Sequence, residues 1–88
     1  MANPYLPETL RRTAATGRLQ IATLVADLAR SMALLTADIE HEEARVGVHD
    51  ESSAAYPTLA RNLRARRENI GATIASLEAA IRGVPKAA

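Results

Sequence analysis

Two apolar stripes in this chain mirror one another about Glu51. Ile21, Val25, Leu28, Met32, Ile39 and Val46 form the first, and Tyr56, Leu63, Ile70, Ile74, Leu77 and Ile81 the second. Counting outward from Glu51 pairs Val46 with Tyr56, Ile39 with Leu63, Met32 with Ile70, Leu28 with Ile74, Val25 with Leu77 and Ile21 with Ile81. Helical spacing keeps each stripe on one face, and Leu24 and Leu35 fall in the same sector of helix 1, about 100° wide. An antiparallel helical hairpin requires such mirrored stripes, because its turn sets one register and every core layer needs an opposite member. The pattern predicts an all-α chain folded as a long antiparallel two-helix hairpin with coiled-coil-like packing.

Local signals place the elements. Pro7 has the fixed φ suited to a first helical position, and Glu8 puts negative charge near the helix N-terminus. Helix 1 is therefore expected over about 7–46, after an extended lead over 1–6. Gly47 suits a left-handed turn after the last helical residue and opens a connector over 47–56. Ser53 as N-cap and Pro57 as first helical residue can each start helix 2. Pro57 disfavours helical geometry at Tyr56, which favours the later start and places helix 2 at about 57–82. Gly83 and Pro85 supply the stop, and Lys86 to Ala88 are expected to fray. The whole reads as one helical-hairpin domain over 1–88.

Composition narrows the function classes. Phe, Trp and Cys are absent, and Tyr5 and Tyr56 are the only aromatic residues of the Phe, Trp and Tyr class. Such a chain buries little area per residue and suits thin helix–helix seams better than a rounded core. The net charge of +1 provides no concentrated positive field for nucleic acid. Absence of cysteine excludes disulfides and thiolate chemistry. The N-terminus has no basic segment followed by an apolar run, which argues against a signal peptide. The most apolar stretch, Leu19 to Ile39, is interrupted by Asp27, Arg30 and Asp38, against a membrane-spanning helix. A cytoplasmic protein without cofactor is the expectation.

Helix 1 carries a second stripe beside its seam: Ala22, Ala26, Ala29, Ala33 and Ala37. Small side chains let another helix approach closely, so two hairpins are expected to pair into a four-helix bundle as a homodimer. In the mirrored register the second helix runs out near Leu19, leaving Leu10, Ala14 and Gly17 for a partner. Leu34 stands alone on a polar face as a further contact candidate. The expected interaction face is Leu10, Ala22, Ala26, Ala29, Ala33, Leu34 and Ala37. Ser31 falls opposite Gly71, a small-against-small pair suited to close backbone approach.

Charges flank the turn. Asp38, Glu40, Glu42 and Glu43 end the first helix, while Arg61, Arg64, Arg66 and Arg67 begin the second. Asp38 is expected to meet Arg64, and Glu42 or Glu43 to meet Arg61, selecting the register. Arg67 falls opposite Leu35, near the seam. Asp38, His41 and Glu42 form the one constellation with metal-ligand character, since carboxylate and imidazole three apart share a helix side. A bundle site needs further carboxylates from neighbouring helices, whereas the second helix supplies arginines. No phosphate loop or nucleophile motif is present. The expectation is a non-enzymatic module that binds itself and other helical proteins. A metal-binding bundle at Asp38, His41 and Glu42, or a nucleic-acid regulator using Arg61 to Arg67, are the alternatives.

Overall fold

The computed structural model describes residues 8–83. Two helices account for nearly all of them, α1 over Glu8–Val46 and α2 over Thr58–Gly83, and no strand occurs among the described residues. They run antiparallel in a rod of 67 × 18 × 14 Å. The expected lead over 1–6, Pro7 as first helical residue, and the stop and fraying at Pro85 to Ala88 lie outside the described residues.

Each boundary has a local cause. Glu8 sits in the first turn of α1 and pairs with Arg11 at 3.4 Å and Arg12 at 3.3 Å, the one-turn spacing that supports an exposed helix. At the other end, Gly47 adopts φ +78° and donates its N–H to the Glu43 carbonyl at 2.7 Å. That is the left-handed stop in which glycine has no Cβ to clash.

The connector is a chain of hydrogen-bonded turns. Asp50 Oδ1 accepts the Ser52 N–H at 3.0 Å and its hydroxyl at 2.8 Å. Ser53 donates its N–H to the Asp50 carbonyl, and its hydroxyl oxygen accepts the Ala55 N–H, each at 3.1 Å. Ser53 is therefore a turn residue, not the cap of α2. The Pro57 carbonyl accepts the first helical bond, from Arg61 N–H at 3.1 Å, so the later start is the one found, displaced by one residue to Thr58.

The buried apolar core is small and lies at the turn end: Leu35, Ile39, Tyr56 and Ala60. From there the seam continues as half-buried residues, with Ile21, Val25, Leu28 and Met32 on α1 facing Leu63, Ile70, Ile74, Leu77 and Ile81 on α2. A lone helix pair covers each stripe from one side, so full burial is confined to where the connector closes over it. Arg67 Nη1 donates to Thr36 Oγ1 at 3.0 Å, and the Met32 methyl lies 3.5 Å from the position a Cβ would occupy on Gly71. Both pairs are centred between Glu51 and Ser52, half a residue from the expected mirror point.

Three expectations need correction. Val46 does not pair with Tyr56 in the seam: it is 37 % exposed, because the chain turns away at Gly47 directly after it. Leu24, counted within the apolar sector of helix 1, is 46 % exposed, since one partner helix covers less than that sector's width. Gly71 meets the flexible Met32 thioether and no backbone within 4 Å, so close backbone approach does not explain it.

Candidate interaction surface

The connector end gathers the polar chemistry. Tyr56 donates its hydroxyl to Glu43 Oε2 at 2.7 Å, and Arg64 donates from Nε to the Tyr56 oxygen at 2.6 Å and from Nη2 to Glu43 Oε2 at 2.9 Å. Arg64 Nη1 lies 3.4 Å from Glu51, and His49 Nδ1 lies 3.6 Å from Glu43. Arg61 donates to the Glu51 carbonyl at 3.3 Å and places its guanidinium 5.4 Å from the Tyr56 ring centre. Hydrogen bonds from Arg64 and then Tyr56 hold the Glu43 carboxyl below the usual range, against its burial. Burial pushes the Tyr56 hydroxyl up, and the Glu43 hydrogen bond does the same to Arg64. The closed, mutually satisfied triad Tyr56–Glu43–Arg64 joins α1, the connector and α2.

This arrangement revises the expected charge pairing. Arg64 meets Glu43 and Glu51 rather than Asp38, and Arg61 meets the connector and the Tyr56 ring rather than Glu42 or Glu43. Glu42 is turned to its own helix, where Arg45 engages both oxygens from Nε at 3.1 Å and Nη2. That contact also holds the Glu42 carboxyl low. The Asp38, His41 and Glu42 constellation is thus divided: Asp38 and His41 are exposed while Glu42 is buried against Arg45. Among the described residues no three acidic or histidine side chains converge as a metal-binding group.

An open groove of about 420 Å³ runs beside the seam, lined by Met32, Glu51, Arg64, Arg67, Glu68 and Gly71. Its charges are mixed, and Arg64 and Arg67 already serve Glu43 and Thr36. It lacks the enclosed apolar shape of a small-molecule site.

The outer surface of α1 is different in kind. Ala22, Ala26, Ala29, Ala33 and Ala37 are all exposed, Leu34 is 68 % exposed, and Leu10 is 53 % exposed beyond the end of α2, which lies opposite about residue 20. Leu34 and Leu10 fall to either side of the alanine stripe by helical count, whereas two more residues belong to it, exposed Ala15 and Leu19, the latter 66 % exposed. A helical wheel extended two turns before Ala22 finds them. Ala15, Leu19, Ala22, Ala26, Ala29, Ala33 and Ala37 fall within a sector about 80° wide and about 33 Å long, with no charged residue inside it. Asp27 and Arg30, which interrupt the apolar stretch, lie to one side and pair with each other. By length and composition alone α1 is long and apolar enough to cross a membrane, and little of its apolar stretch is buried.

Neither a family model, nor a curated protein, nor a solved structure matches this chain.

Proposed function

We propose that the chain is a non-enzymatic helical protein–protein interaction module, an adaptor, chaperone or assembly subunit of the cytoplasm. It acts through self-association into a four-helix bundle and through helix-in-groove contacts with other helical proteins. The observation that carries this reading is the charge-free exposed face of α1 from Ala15 to Ala37. Water-facing helix surfaces ordinarily mix charges through such a length, and a long apolar face left uncovered marks a contact surface. The core adds support: four buried apolar residues among the described ones make a thin core, and small folds with thin cores gain stability by association.

Light scattering across a dilution series tests it. A dimer or larger species that dissociates on dilution is expected, and Ala29→Glu should weaken it while leaving helicity intact. Monomer at every concentration removes self-association. Binding to phospholipid vesicles through the same face, with monomer in solution, would replace the protein partner by a lipid surface.

A further inference from the structure

We propose that the exposed face of α1 pairs with the same face of a second copy in antiparallel orientation, with Ala26 on the two-fold axis. This rests on the self-association proposed above and adds its orientation and register.

The charges at the two ends of the face point to the orientation. Arg11, Arg12 and Arg18 surround the Ala15 end against a single acid, Glu8, which both Arg11 and Arg12 share. At the Ala37 end Glu40 lies on the face by helical count and has no ion-pair partner among the described residues, while Asp38 lies off it. One end is net positive by two and the other carries the unpaired Glu40 carboxylate. An antiparallel pair sets Arg12 of one copy beside Glu40 of the other at both ends, whereas a parallel pair stacks like charges.

The spacing supplies the register. Counting outward from Ala26 pairs Ala15 with Ala37 and Leu19 with Ala33, so each leucine meets a methyl group, and Ala22 and Ala29 interleave between those layers. A two-fold contact needs this self-complementarity, each residue facing its mirror in the other copy. Methyl side chains allow the helix axes to approach at the short end of the usual 8–10 Å range. The face lies about 120° around α1 from the seam, so a second copy docks without displacing α2. The four helices then form one layered bundle, with both α1 helices central.

Disulfide trapping tests the register, because the chain has no cysteine of its own. Ala26→Cys is expected to form a disulfide-linked dimer under mild oxidation, since the axis brings the two copies of residue 26 together. Ala37→Cys is expected to cross-link not with itself but with Ala15→Cys when the two variants are mixed, the two copies of residue 37 lying about 33 Å apart. Glu40→Lys should raise the dissociation constant roughly 3- to 10-fold, and adding Arg12→Glu should recover it. Circular dichroism confirms that each variant keeps its helicity. Self-cross-linking of Ala37→Cys overturns the antiparallel orientation. A dimer by light scattering without the Ala26→Cys cross-link overturns the register and leaves self-association standing. Monomer at every concentration overturns both.

Discussion

Glu43 is the residue on which the turn end depends. It is buried on α1, yet its partners come from the connector and from α2, through Tyr56, His49 and Arg64. Removing its charge leaves the Arg64 guanidinium without its shortest carboxylate contact and the Tyr56 hydroxyl with a poorer acceptor. Glu43→Gln is expected to lower the melting temperature measurably, and Tyr56→Phe to do so less. The acid limb of stability follows from the same contacts. Hydrogen bonds from Arg45, from Arg64 and Tyr56, and from Ser52 hold the carboxyls of Glu42, Glu43 and Asp50 low in the folded chain. Carboxyls that bind protons less readily when folded than when unfolded contribute stability above their unfolded pKa, and that contribution is lost as pH falls through the folded one. Thermal melts should therefore show stability falling below about pH 4.5, and Glu43→Gln should flatten that fall.

Helix ends and helix interiors place opposite demands on glycine, and this chain contains both cases. Gly47 occupies φ +78°, a region that costs an L-residue roughly 1–2 kcal/mol. Gly47→Ala is expected to destabilise by about 1 kcal/mol in urea titrations, despite open space for its methyl group. Gly71 has an ordinary helical position, and a Cβ there would lie 3.5 Å from the Met32 methyl, a normal packing distance. Gly71→Ala should stabilise α2 by about 0.5–1 kcal/mol through helix propensity, in the same titration. A loss at this position would mean that the seam is tighter than the Met32 contact indicates.

The hairpin is long and thin, and among the described residues the only fully covered apolar layer lies next to the connector. Ile39 is its most deeply buried large side chain, and Ile39→Ala is expected to cost about 2–4 kcal/mol, a large part of the stability of a small domain. Away from that layer the seam is half-exposed, and the outer face of α1 is uncovered. If a second copy covers it, the melting temperature must rise with protein concentration, because binding to the folded state alone shifts the folding equilibrium. Melts over a hundredfold concentration range test this on the unmodified chain. A constant melting temperature would count against self-association.

Helix identity, the two helix ends at the connector and the seam register were legible in the amino-acid order because each follows from local covalent geometry. The 3.6-residue period lines up Ile21 through Ile39, Gly47 and Pro57 act within one turn of themselves, and mirrored stripes allow one alignment to within half a residue. Side-chain partners were not legible. Arginine and glutamate reach across more than a helical turn, so a register correct to half a residue still leaves Asp38, Glu42 and Glu43 as competitors for Arg64. The tertiary structure decided among them through the path of the connector, which carries Tyr56 beneath Glu43 and Glu51 beside Arg64 and leaves Glu42 to Arg45. It also decided where the seam ends. One helix covers a narrower sector of its neighbour than the apolar stripe spans, so Leu24 belongs to the stripe by period and to the surface by packing, while Val46 is exposed where the chain turns away at Gly47.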